Sequence, residues 1–104
     1  YVSDEIREFI VDLARESRNH PDVALGASPR ASLYLLHAAR SRATLLGRDY
    51  ATHEDVLELV QPVLGHRLIL RPEAEIEGTL VSKVLEQVSK RVPVNSPPQG
   101  DETS

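Results

Sequence analysis

An all-α fold, a small four-helix bundle followed by a disordered C-terminal tail, is predicted for this chain by three observations. Apolar residues recur at helical spacing in four separate stretches. Each stretch begins behind a serine or threonine able to cap a helix, and the longest ends on a glycine. Aromatic residues make up only 4% of the sequence against 40% hydrophobic overall, so the core is expected to be aliphatic. The 104 residues suit one domain large enough to bury its own core.

The first helix is expected over residues 4–18. Ser3 is its candidate cap, and Asp4 and Glu5 place negative charge where the helix dipole favours it. Ile6, Phe9, Ile10, Leu13 and Ala14 form one stripe. Pro21 drives His20 out of the α region and ends the helix. Val23, Ala24 and Leu25 then read as a short connection packed on the bundle surface.

The longest helix opens at Gly26-Ala27-Ser28-Pro29-Arg30-Ala31. Ser28 is a preferred N-cap, and Pro29 takes the first helical position, where a missing N–H costs nothing. The helix is expected to run to Leu46, with Gly47 stopping it in the left-handed region. Tyr34, Leu45, Ala38, Ala31, Leu35, Leu46, Ala39, Ala43 and Leu36 sweep a wide apolar arc, interrupted by Arg42 and Ser32. An arc this broad predicts a central helix with neighbours on several sides. Arg30, His37, Arg40, Ser41 and Thr44 gather on the remaining side.

Thr52 reads as the cap of the third helix, with Glu54 and Asp55 in its first turn and Val56, Leu57, Leu59, Val60, Val63 and Leu64 as its apolar face. Pro62 predicts a kink there, or a break and a fresh turn through residues 62–67. Residues 68–78 are expected to be a loop packed along the bundle. Thr79 then caps a last helix to about Val92, with Leu80, Val84, Leu85 and Val88 as its stripe. Residues 1–92 form the expected domain, and the polar, turn-rich residues 93–104 the tail.

Twelve basic against 16 acidic residues give a formal charge of −4, which argues against wrapping nucleic acid. The absence of cysteine excludes disulfides, thiolate metal sites and cysteine nucleophiles. No apolar run approaches the ~20 residues of a membrane span. The sequence lacks methionine, so a processed chain or a domain of a longer protein is expected. His20, His37, His53 and His66 are spread without metal-ligand spacing, and no HExxH, Gly-rich phosphate loop, GxSxG or acidic calcium loop is present. The pairs Asp4/Glu5 and Glu54/Asp55 are explained by helix starts, and Glu73, Glu75 and Glu77 read as a solvated loop. Arg40, Arg42 and Arg48 read as dipole compensation with surface salt links, or else as a contact for an acidic partner. Arg30 differs. A helix start already favours anions, so a guanidinium there is repelled unless an anion compensates it, and bidentate phosphate recognition suits arginine. A surface arginine with its aliphatic stem packed down is the alternative.

The stretch Arg18-Asn19-His20-Pro21-Asp22-Val23-Ala24-Leu25-Gly26-Ala27-Ser28-Pro29-Arg30-Ala31 resembles the segment joining the first two lid helices of MoxR-type AAA+ ATPases. Val2-Ser3-Asp4-Glu5-Ile6, Gly47-Arg48-Asp49-Tyr50-Ala51-Thr52 and Pro62-Val63-Leu64-Gly65-His66-Arg67-Leu68 resemble the same family in order, as does the acidic Pro72-Glu73-Ala74-Glu75. The resemblance implies a C-terminal helical lid over an ATP-binding core absent from this chain. Arg30 would be the sensor 2 residue reaching the phosphates, with Ser28 and Pro29 shaping its helix start. Tyr1 and Val2 would lie near the hinge, beside the adenine. It further implies ATP with Mg²⁺ in the full-length protein alone, a cytoplasmic ring, typically a hexamer, and chaperone-like remodelling of partners such as von Willebrand factor A domain proteins. Neither nucleic acid nor membrane is an expected partner. The Walker A and B motifs, sensor 1 and arginine finger are absent, so this chain by itself is not expected to hydrolyse ATP. His53 stands where relatives commonly carry proline. Two other functions stay open: a stand-alone helical protein-interaction module docking through Arg40, Arg42 and Arg48, and a helix-turn-helix DNA binder. The second is disfavoured by the acidic His53-Glu54-Asp55 start of its would-be recognition helix.

Overall fold

A computed structural model describes residues 3–93. Its elements are α1 (Asp4–Asn19), β1 (Val23–Leu25), α2 (Pro29–Leu45), α3 (His53–Leu64), β2 (Ile69–Leu70), α4 (Pro72–Ile76) and α5 (Val81–Arg91). Tyr1, Val2 and the expected tail beyond Pro93 lie outside the described residues.

The helix starts follow local chemistry. Ser3 Oγ accepts from the Ile6 amide at 3.2 Å, and His20 leaves α1 with extended backbone, as a residue before proline must. Thr52 and Asp55 form a reciprocal capping box on α3, each side chain accepting from the other's backbone N–H. α2 ends as expected at Gly47, whose φ of 83° is the left-handed value that favours glycine. There the Gly47 amide reaches Thr44 O at 3.0 Å and the Arg48 amide reaches Ala43 O at 2.9 Å, pairing two carbonyls of the last turn.

Four expectations are corrected or narrowed. Residues 68–78 are not a loop. Ile69–Leu70 pairs antiparallel with Val23–Leu25, also expected as a plain connection, and Pro72–Ile76 forms a short fifth helix. Val23 and Leu70 turn into the core while Leu25 and Ile69 face out, so the ribbon pins the connection to the bundle. Thr79 caps nothing. Gly78, with φ of 86°, closes α4, the Thr79 amide is spent on Ala74 O at 3.0 Å, and α5 starts behind Leu80 without a side-chain cap. Of the two outcomes expected at Pro62, a kink or a break, the break is excluded, since α3 continues to Leu64. Pro62 sits in the last turn, with Glu58 exposed, so the one carbonyl that loses its amide partner can turn to water.

The fourth correction concerns α2. Only Ala31, Leu35, Ala39 and Ala43 are buried on it. Leu45 is 86% exposed, and Leu33, Tyr34 and Leu46 also face outward. The buried stripe is therefore narrow and mostly alanine, which lets α3 come close. Phe9, Ile10 and Leu13 of α1, Val56, Val60 and Leu64 of α3, and Val84, Leu85 and Val88 of α5 complete an almost wholly aliphatic core. His20, 5% exposed, bolts α1 to α5 through Nε2 and Gln87 Oε1 at 2.7 Å. Its Nδ1 accepts from the Asp22 amide, which assigns the proton to Nε2.

One ionic cluster joins α2 to α3. The Asp55 side chain is 0% exposed, and both its oxygens are bonded. Arg48 donates to Oδ2 at 2.7 Å and to Oδ1 at 2.8 Å. Arg42 donates to Oδ1, and the Thr52 amide and hydroxyl to Oδ2. The Arg48 hydrogen bonds, helped by those from Thr52 and Arg42, outweigh desolvation and hold the Asp55 carboxyl well below the usual carboxylate range.

Asp55→Asn should therefore destabilise the domain by about 3 kcal/mol, the low end for breaking a buried ion pair, since both arginines keep part of their surface in water. Urea unfolding measures this. Because the folded pKa is depressed, the Asp55 contribution is complete above the ordinary carboxylate value near pH ~4. It is lost as pH falls below that value, so the gap between the two proteins should narrow with acid.

Candidate functional site

The candidate site is the start of α2, and α1 builds it. Ser17 Oγ donates to Ala14 O at 2.7 Å and accepts from the Ala27 amide at 2.9 Å, inside the core. Arg18 Nη1 donates to Ala27 O at 2.8 Å. Both backbone groups of Ala27 are thus held by the last turn of α1. Gly26 runs so close to that turn that an added Cβ would lie 2.7 Å from the Arg18 Cα and amide nitrogen. Two residues before the cap, the chain is fixed in position.

Ser28 then caps α2, its Oγ accepting from the Ala31 amide at 3.1 Å, with Pro29 next at the first helical position. Pro29 carries no N–H, so the Arg30 amide is the first-turn donor left without an intrachain acceptor among the described residues. Ser28, Pro29 and Arg30 are all exposed, and the first turn of α2 holds no acidic residue. Among the described residues no carboxylate pairs with the Arg30 side chain. A free N–H, the positive end of the helix dipole and a permanent cation coincide without compensation, an arrangement suited to an anion.

Most of the remaining candidates from the sequence have structural explanations. Arg42 and Arg48 are committed to Asp55, so the basic group at the far end of α2 reduces to Arg40. Asp55, read as a helix-start acid, is that and also the buried counter-charge of two arginines. His37 is exposed. His53 opens α3 and sets its ring edge-on against Phe9, centroids 4.7 Å apart. Glu73, Glu75 and Glu77 lie exposed on and just beyond α4. Among the described residues no group of three or more His, Asp or Glu converges as metal ligands, and no helix is long and apolar enough to cross a membrane.

Sequence reasoning missed one arrangement near α2. Tyr34, expected in the buried arc, is 44% exposed. The Arg67 guanidinium lies over its ring, Cζ 4.6 Å from the centroid. Nothing local couples residues so distant in sequence.

The fold and this helix start define an α-helical small domain of the AAA type. The AAA lid domain family matches residues 15–88, and the chain belongs to that family. More particularly, it is similar to proteins of the MoxR kind. It is 46% identical over 80 residues to Chaperone MoxR1 of Mycobacterium tuberculosis, an alignment covering 74% of this chain and 21% of that protein. It is 40% identical over 93 residues to the uncharacterized protein YeaC of Bacillus subtilis, covering 89% and 29% respectively. A crystal structure of a candidate ATPase from Cytophaga hutchinsonii superposes with a TM-score of 0.86 at 29% identity, covering 91% of this chain and 32% of that one. The chain thus spans less than a third of the length of each of these three proteins.

Two substitutions test the construction of the helix start. Gly26→Ala must push α2 off α1 and should cost about 1–3 kcal/mol, as overpacking does. Ser28→Ala, which removes one cap bond, should cost about 1 kcal/mol. Thermal or urea unfolding gives both.

Proposed function

We propose that this domain is the lid that closes over ATP held by an AAA+ core domain of the same parent protein, and that Arg30 is its sensor 2 residue. The observation that carries the proposal is the exposed, uncompensated guanidinium of Arg30 at the capped start of α2. Ser28 and Pro29 shape that start, and α1 fixes its place. When the lid closes, the Arg30 side chain meets the phosphates. Its fork of N–H donors then matches the charge spreading over the transferring phosphoryl oxygens.

The catalytic water and the Mg²⁺ bound with ATP belong to the core in this reading, so hydrolysis needs both domains. A relative named as a chaperone and a structural neighbour described as a candidate ATPase support a chaperone-like ATPase as parent. In our reading that parent is a cytoplasmic ring that remodels other proteins, von Willebrand factor A domain proteins among them. In such a ring the lid meets its own core and the neighbouring subunits.

Arg30→Ala in a full-length protein carrying this lid should cut steady-state ATP turnover by roughly 10²-fold, the order for losing one preorganised charge contact in a transition state. Its exposed position predicts a stability within about 0.5 kcal/mol of the unmodified protein. Unchanged turnover would remove the sensor assignment.

A further inference from the structure

We propose that Arg67 is a second phosphate-reading arginine, held in place by Tyr34 and lining the cleft that Ser28 and Pro29 also line at the start of α2. The inference rests on the reading of Arg30 as a phosphate contact and adds a residue to it. Arg67 follows α3, just before β2, and its side chain is held at two points. Nε donates to Val63 O at 3.0 Å, and the guanidinium lies over the Tyr34 ring at 4.6 Å. These contacts fix the plane of the fork and leave Nη1 and Nη2 without a partner among the described residues.

Other described cations lack a carboxylate too, Arg7, Arg30, Arg40 and Arg71 among them, but of all these Arg67 is the one oriented by a ring. Arg42 and Arg48 share Asp55, Arg15 pairs with Asp12, Lys83 with Glu86, and Arg18 holds a backbone carbonyl. Acidic residues outnumber basic ones 16 to 12 overall, yet Arg67 is oriented by a ring and a carbonyl instead of a carboxylate. An exposed cation gains little from being held still by an aromatic face unless it has something to meet. Pre-ordering lowers the entropy cost of binding a planar, bidentate anion.

Tyr34 ties Arg67 to the helix whose first turn holds Arg30. Tyr34 lies four residues after Arg30 on α2, so the two share a face. Helical side chains lean toward the N-terminus, which lays the Tyr34 ring over the turn that carries Arg30. Arg67 also lines an open cleft of about 630 Å³ with Ser28, Pro29, Arg18 and His66, and no carboxylate lines it. The chemistry is that of a polyphosphate gripped by two forks, one from the start of α2 and one supported by its next turn.

The test is equilibrium binding of a fluorescent ATP analogue to the full-length protein, with the melting temperature of each variant measured alongside. Arg67→Ala and Tyr34→Leu should each weaken binding about tenfold, the order of one charge-assisted contact. Tyr34→Phe, which keeps the ring, should bind within about twofold of the unmodified protein, as a stacking role requires. Unmodified affinity in Arg67→Ala, beside lost turnover in Arg30→Ala, would overturn this proposal and leave the sensor reading standing. Weakened binding in Arg67→Ala beside full turnover in Arg30→Ala would do the reverse. Lowered melting in Arg67→Ala with unchanged nucleotide affinity would make the stack a structural clasp and overturn the proposal.

Discussion

A carboxylate sealed inside an aliphatic domain has to be compensated completely, and the relation of α2 to α3 follows from how Asp55 is compensated. Two guanidiniums reach it, Arg42 from the last turn of α2 and Arg48 from just past Gly47. Thr52 supplies two more donors from the start of α3. Their bonds can form together only if the turn at Gly47 folds back tightly, which the left-handed glycine permits. Once that turn is set, the alanine stripe of α2 faces Val56 and Val60, and the core closes around it. Desolvation of the carboxylate opposes the arrangement, while the number of charge-assisted bonds sustains it.

The parts legible in the sequence were those decided within one turn of chain. The caps at Ser3, Ser28 and Thr52 and the stop at Gly47 depend on residues three or four apart, and each was read correctly. Arg30 belongs with them, since its place in the first turn follows from the cap alone. What stayed hidden was long-range. The β1–β2 ribbon joins Val23 to Leu70 across most of the domain, through segments too short to show a period of their own. Thr79 looked like a cap because its residue type suits one, but the left-handed Gly78 turns it back to close α4 on Ala74 O, and α5 starts only behind Leu80. In the sequence, Arg42 and Arg48 read with Arg40 as a surface basic group and Asp55 as a helix-start acid, and only the fold brings the two arginines and Asp55 to one point. The stack of Arg67 on Tyr34 is hidden for the same reason.

The misjudged breadth of the α2 arc has physical content of its own. Helical periodicity records every apolar surface that will be covered, whoever covers it. The domain's core covers only the alanine-rich stripe and Leu35. Leu33, Tyr34, Leu45 and Leu46 remain outside. In the lid reading, the surplus is surface that a core domain or a neighbouring subunit would cover, and the relatives, of which this chain spans less than a third, have ample chain to do so.

α2 is fastened at both extremities. Ser17 and Arg18 grip the residue before its cap, and Asp55 grips its final turn. Its 17 residues make a rod about 25 Å long. A rod tied at each end cannot bend to absorb a push. In the lid reading, force delivered by an anion at its tip would be returned as rotation of the whole bundle, and the domain would act as a crank, its throw set by the length of one helix.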